Sequence, residues 1–148
     1  MKKIASIDIL INQSVELVFD WISDFDNAPL MFDHIVYVRK LEHGAVKEGQ
    51  ILEERAYNVF RGIDLLYLEV QVYSEREKII LYSPNSRLKH SYEFQFHQIS
   101  SKTSKVTIGL SYSNTNPLVV ALVTVFFKPI AENRLKVLKK KFESGYLI

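Results

Sequence analysis

The chain contains no cysteine. Disulfides, thiolate chemistry and a cysteine-based zinc site are thereby excluded, and a reducing, cytoplasmic location fits. Glycine and proline are sparse, at 5 and 4 of 148 residues, and they form neither a glycine-rich phosphate loop nor a nucleophile elbow. Charge of one sign is scarce too. The 19 basic residues against 17 acidic ones leave a net charge of +2, which gives no reason to expect nucleic acid as a partner. Long apolar runs are missing, and none reaches the roughly 20 residues that a membrane-spanning helix requires. No motif calls for a cofactor, and none is expected.

What the chain does have is the composition of an ordinary globular protein, 47% hydrophobic and 24% charged. A length of 148 residues predicts one domain, long enough to bury about 70% of the surface of the unfolded chain. The opening Met1-Lys2-Lys3 followed by isoleucines has the look of a secretory signal. Ser6 and Asp8, however, alternate with Ile7, Ile9 and Ile11, which is the period of a half-buried strand, so residues 3–12 are read as the first strand.

Ser14 is a good helix N-cap, and Val15, Val18, Phe19 and Ile22 then recur as one helical stripe. Pro29 can open a further short turn with Leu30, Met31 and Phe32. From His34 onward the period is 2. Leu66, Leu68, Val70 and Val72 share a face, as do Leu88, His90, Tyr92, Phe94 and Phe96, and Val106, Ile108, Leu110 and Tyr112. Turns are expected at His43-Gly44, Arg61-Gly62, Ser74 to Glu77, Ser83 to Ser86 and Ser100 to Ser104. These short connections suit antiparallel hairpins, because parallel pairing would need crossover helices that the sequence lacks. The facing of residues 51–60 stays open. Asn116-Pro117 starts a closing helix predicted to end near Glu143, with Pro129 kinking or interrupting it.

Several segments resemble the START-like superfamily, also called SRPBCC, in its polyketide cyclase/dehydrase-type branch. Ile11-Asn12 followed by Val18-Phe19-Asp20-Trp21-Ile22-Ser23-Asp24 is similar to that family's strand-to-helix opening. Gly44 and Gly49-Gln50 resemble its second hairpin. Tyr92-Glu93-Phe94, Thr103 and Val106-Thr107 resemble its last one, and Leu135 to Glu143 its closing helix. The likeness runs from Ile7 to about Glu143. The chain departs from it at Gln13-Ser14-Val15, where the family often has Ala-Pro-Pro; a serine N-cap does the same structural job. The resemblance implies an α+β helix-grip fold, with an antiparallel sheet of about seven strands curved around the C-terminal helix and one or two short helices after strand one. It also implies an apolar cavity and a hydrophobic ligand, such as a lipid, polyketide, isoprenoid or sterol-like molecule. It implies no reaction, because fold alone does not fix function.

His90 is the candidate catalytic or orienting residue, since period 2 sets it on the apolar face. The plainer reading is a half-buried histidine bonded to backbone. Tyr57, Tyr92 and Tyr112 are candidates to present phenol hydroxyls to a ligand, or else simply pack. Leu68, Val70, Phe94, Ile108 and Leu110 are expected in the cavity wall, with Leu122 and Phe126 contributed by the helix. Glu53 and Arg55 matter only if their face turns inward, where they would bind an anionic head group; otherwise they are surface charges. No metal is expected, since His90 and His97 are an odd number of residues apart and point to opposite faces of one strand. Lys136, Lys139, Lys140 and Lys141 suit the negative end of a helix, with attraction to anionic lipid as the sharper reading.

The segment from Leu118 to Phe127 is apolar around its whole circumference. It therefore needs a second covering: the Asp24 to Asp33 region, a second subunit (a homodimer through 118–127), or a membrane surface touched transiently. If it is not simply core, the segment before Pro129 is a gate. The function expected first is non-catalytic binding or transport of a small hydrophobic ligand. The alternatives are a cyclase or dehydrase using cavity His and Tyr groups as acid and base, and a ligand-free regulatory or partner-binding protein.

Overall fold

In the computed structural model, which describes residues 1–60 and 62–148, the period-2 tract becomes a seven-stranded sheet. Its strands are β1 (Lys2–Ile11), β2 (Ile35–Lys40), β3 (Ile51–Tyr57), β4 (Ile63–Ser74), β5 (Lys78–Tyr82), β6 (Ser91–Ser100) and β7 (Thr103–Tyr112). They lie in the order β1-β7-β6-β5-β4-β3-β2, and every neighbouring pair is antiparallel. Consecutive strands from β2 to β7 are hairpin neighbours, and β1 completes the sheet beside β7. Arg61, half of the expected Arg61-Gly62 turn, lies outside the described residues.

Between β1 and β2 the chain forms α1 (Val15–Ser23), a 3-10 turn (Phe25–Asn27) and α2 (Ala28–Met31). Ser14 caps α1, its hydroxyl accepting from the Leu17 amide at 3.3 Å, and Val18, Phe19 and Ile22 are buried. Phe19 meets Phe96 edge-on at 5.0 Å, which ties the helix to the sheet. Ser14→Ala is expected to lose about 1 kcal/mol, the usual cost of an unmade N-cap; a lowered urea midpoint with an unchanged slope would show it.

The closing helix starts at Asn116, whose side chain accepts from the Leu118 amide at 3.0 Å, with Pro117 in the first turn. It runs without a break as α3 (Pro117–Leu122), a π turn (Val123–Phe127) and α4 (Lys128–Glu143). Pro129 therefore does not interrupt it. The proline nitrogen cannot donate to a carbonyl one turn back, and the chain absorbs the missing bond by widening into a π turn, where Lys128 donates to the Val123 carbonyl. Gly145 ends the helix. At φ +72 it donates to the Phe142 carbonyl while Tyr146 donates to that of Lys141, the two bonds of a Schellman cap.

The second half of this helix sits on the core, and from the first half Val123 alone among the described residues is buried. Ala131, Leu135, Leu138 and Phe142 are buried, and α4 packs chiefly on β1. Trp21 of α1 meets Phe142 edge-on at 5.7 Å. Lys141 reaches the Leu30 carbonyl at 3.1 Å and the Asp33 carboxylate at 2.6 Å, and Lys139 pairs with Glu143 at 3.7 Å. The Asp24 to Asp33 region thus packs on β2 and the far end of α4, not on residues 118–127. Leu118, Leu122, Val125 and Phe126 are left exposed.

Register shifts interrupt four of the strand pairings, at Lys3/Ala5, Ile35/Tyr37, Val70/Val72 and Gln98/Ser100, and the one in β4 changes which residue enters the core. The register shifts between Val70 and Val72, so Val72 stands opposite Ile80 and Tyr73 opposite the fully buried Ile79. The extra residue, Gln71, reverses the facing, as a bulge does. Tyr73 takes the core place predicted for Val72, against Phe19.

Candidate functional site

A cavity of about 580 Å³ opens between the inner face of the sheet and the closing helix, within the range of ordinary ligand sites. The helix wall is a single stripe: Phe127, Ile130, Ala131 and Arg134, spaced i, i+3, i+4 and i+7. The sheet side contributes Ala56, Leu66, Tyr92 and Leu110, with Phe32 and Ile4 beside them. The β3–β4 hairpin, carrying Val59, Phe60, Ile63 and Leu65, forms the rim, where Phe60 is 85% exposed. A smaller apolar hollow of about 30 Å³ lies beside it, and Glu54, Tyr92 and Phe32 line both.

The predicted site residues fall into four groups. His90, Tyr92 and Leu110 line the cavity, and Tyr57 lies at its edge. Leu68 and Phe94 line the smaller hollow, while Val70, Ile108 and Tyr112 are core residues bordering neither space. Leu122 and Phe126 are placed elsewhere altogether: they are 52% and 61% exposed, on the side of the helix away from the cavity. The stripe that faces the cavity passes through Phe127 instead, one residue on from Phe126.

The facing left open for β3 resolves in an unforeseen way. Leu52, Glu54 and Ala56 turn inward, and Glu53, Arg55 and Tyr57 outward. On the outer face Glu53 accepts from the Tyr37 hydroxyl and pairs with Arg39 at 2.8 Å. Those two contacts, the hydroxyl first, hold its carboxyl below the usual range. The Arg39 and Arg55 guanidiniums lie over the Tyr37 ring at 4.9 and 5.9 Å. Glu53 and Arg55 are therefore surface charges.

Glu54 is the carboxyl inside, only 2% exposed. It stands in none of the ion pairs among the described residues. Burial pushes it up to about 7, with Arg134 pulling the other way. Arg134 lines the same cavity without making an ion pair with Glu54, and burial lowers its own pKa against the upward pull of Tyr92 and Glu54.

Two histidines join them. His90 follows Lys89, which holds a φ of +47. The His90 amide donates to the Ser86 hydroxyl at 3.1 Å, and its carbonyl accepts from the Ser83 amide at 2.9 Å. The backbone is thereby fixed and the ring meets Tyr92 edge-on at 5.2 Å. Its Nε2 is buried without a partner, as is Nδ1 of His34, just ahead of β2. Burial drives His90 down to about 4, with Arg134 adding to the effect, and His34 down to about 3, with Arg134 and His90 adding. Tyr92 is raised well above its ordinary value by burial and then by Glu54. Neutral imidazoles, a protonated phenol, a half-ionised carboxyl and a guanidinium thus share one cavity with the apolar wall of Phe32, Leu66, Leu110, Phe127 and Ile130. Such a set can orient an oxygen-bearing ligand and can exchange a proton with it near neutral pH.

Glu54, Arg134 and His34 were not singled out in the sequence. Glu54 stands directly opposite Leu66 on β4, and opposite residues share a face. The inward set Leu66, Leu68 and Val70 carried across the hairpin would have turned Glu54 inward. Continuing the stripe of Leu135 and Leu138 back along the helix would likewise have reached Arg134.

No protein-family model matches the sequence, and comparison with curated proteins finds no match. Solved structures do match. The di-domain ARO/CYC BexL from the BE-7585A biosynthetic pathway superposes with a TM-score of 0.75 at 19% identity, over 97% of this chain and 47% of that one. This chain thus spans about half of that protein. A START superfamily protein from Mycobacterium smegmatis gives 0.71 at 16% identity, covering 95% and 97% of the two chains. Ginseng major latex-like protein 151 from Panax ginseng gives 0.71 at 11% identity, with 97% of each chain covered. No helix among the described residues is long and apolar enough to cross a membrane. With its curved antiparallel sheet and a closing helix of 27 residues, the chain has the START-like (SRPBCC) helix-grip fold.

Proposed function

We propose that the protein binds and carries a small hydrophobic molecule, of lipid, polyketide or isoprenoid type, in the cytoplasm. The observation that carries this reading is the cavity itself: about 580 Å³, with an apolar wall of Phe32, Leu66, Leu110, Phe127 and Ile130 and a polar set that includes His34, Glu54, His90 and Arg134. Binding would be driven by removal of apolar ligand surface from water, about 25 cal/mol per Å², and the polar groups would set orientation. The likeness in fold to the START superfamily protein from Mycobacterium smegmatis supports the same reading.

The exposed apolar residues Leu118, Leu122, Val125 and Phe126 would form a docking face beside the cavity, and Phe60 at the rim would border the way in. Transient contact of that face with a membrane, or with a second copy of the chain, would cover it. The test of carriage is native mass spectrometry of protein purified without denaturation. An organic-extractable molecule lost on denaturation is expected. Bare protein, both as purified and after incubation with a fatty alcohol, contradicts the reading.

A second reading, an acid–base enzyme of the cyclase or dehydrase kind, is favoured by one observation: Glu54, poised at about 7, shares the cavity with Arg134, His90 and Tyr92. A general acid or base works best with a pKa near the working pH, and two of the matched structures are di-domain ARO/CYC proteins.

A further inference from the structure

We infer that the cavity takes an apolar molecule bearing a carboxylate, seated on the Arg134 guanidinium in the wall that also holds Glu54. This rests on the ligand-binding reading above and narrows its ligand to organic acids. Arg134 lies on the helix stripe that faces the cavity, and none of the ion pairs or hydrogen bonds among the described residues engages it. A guanidinium presents a fixed fork of donors that matches a carboxylate in two parallel bonds. The side chains around it leave that fork open. Glu54 lines the same space yet makes no ion pair with it, and His34 Nδ1 and His90 Nε2 are buried without partners.

Neutral groups complete the seat. His34 and His90 carry no charge at neutral pH, and each offers a ring nitrogen to a ligand oxygen. The Tyr92 phenol stays protonated. The other charged residues of the wall, Asp64 and Arg87, stand at the rim. Inside, therefore, the charge balance is decided by Arg134 and Glu54 alone. A neutral apolar ligand would leave the guanidinium unpaired in a dry site, which is unfavourable. A carboxylate pairs it and accepts a proton-bearing contact from Glu54.

The sign of the pH dependence follows. A ligand carboxylate beside Glu54 disfavours ionised Glu54. Glu54 titrates at about 7 in the free protein, so binding above that pH requires uptake of a proton. Affinity for an acid then falls as pH rises, by about tenfold between pH 6 and pH 8 if Glu54 stays protonated throughout in the complex. Affinity for an alcohol of the same length gains nothing from this linkage.

The experiment is displacement of the neutral fluorophore N-phenyl-1-naphthylamine by decanoate and by decanol, at pH 6 and pH 8. Decanoate is expected to compete at least about tenfold better than decanol at pH 6, as a charge-assisted bidentate pair implies, and to lose most of that advantage at pH 8. Arg134→Gln should abolish the advantage, so that decanoate and decanol displace the fluorophore equally well at both pH values. Arg134→Lys should keep part of it, and Glu54→Gln should flatten the pH profile. Should Arg134→Gln fail to fold, the wild-type ratio and the Glu54→Gln profile decide. Decanol competing as well as decanoate, or a flat wild-type profile, overturns this inference and leaves the ligand-binding reading standing. A fluorophore that does not bind, with decanoate failing in direct calorimetry, overturns both.

Discussion

Acidification from pH 7 to pH 4 is expected to destabilise the protein by several kcal/mol, and His34 and His90 are the cause. Both are buried neutral in the fold, at about 3 and about 4, whereas in the unfolded chain they titrate near 6.5. Between those values the unfolded chain binds protons that the folded one refuses. Stability is fully present above about pH 6.5 and is lost as pH falls toward the folded values. Glu54 has the opposite sign. Its folded pKa, about 7, is raised from 4.5, so its burial costs stability above that window and the cost is relieved on acidification.

The magnitudes decide the outcome. By pH 4 the two histidines together withdraw on the order of 6 kcal/mol, and Glu54 returns about 3. The histidines win. Urea unfolding at pH 7 and pH 4 is the measurement. Glu54→Gln should steepen the acid loss. The double variant His34→Gln/His90→Gln should reverse its sign, becoming more stable at pH 4 than at pH 7. Equal wild-type stability at the two pH values would contradict the burial of these rings.

Leu138→Ala is expected to cost about 3 kcal/mol, within the usual range of about 2–5 for truncating a buried leucine. Leu138 is fully buried, and with Leu135 and Phe142 it anchors α4 on the sheet. Leu118, on the same helix and 75% exposed, should tolerate the same truncation within about 0.5 kcal/mol. Paired denaturation curves give both numbers. Comparable losses at the two positions would mean that α3 is packed down on the sheet, and the exposed apolar front would be wrong.

Much of the architecture is legible in the residues alone. Ser14, Asn116-Pro117 and Gly145 are local signals that work through backbone hydrogen bonds within a turn or two of their own positions, and all three mark helix ends in the structure. Alternation set β1, β6 and β7 correctly for the same reason: a strand with one buried face writes its period directly into the side chains. Where a tertiary feature intervenes, this local logic stops. The bulge after Val70 cannot be seen from Leu66, Leu68, Val70 and Val72, which alternate without a fault. Pro129 announces a lost hydrogen bond, and only the surrounding helix determines whether that loss becomes a break or a π turn.

The interior chemistry was harder to read, because a charged residue on a strand is ordinarily a solvated one. Glu54 sits between two other charges, in Glu53-Glu54-Arg55, and its facing depends on pairing with β4 rather than on its own pattern. Arg134 lies on a helix whose many lysines suggest a solvated face. His90 was placed by its period-2 company, whereas His34 stands at the very start of the alternating tract, just ahead of β2, with no earlier residue of the strand to fix its facing.

The central claim is that the space between sheet and helix is a binding site for an apolar molecule. Fluorescence titration of N-phenyl-1-naphthylamine into the wild type and into Ala131→Trp, side by side, tests it most directly. Ala131 is a buried wall residue facing the cavity from α4, so an indole there fills the space a ligand would take. The account predicts saturable binding to the wild type and at least about tenfold weaker binding to a folded Ala131→Trp. Equal binding to both proteins, or none to the wild type, would contradict it.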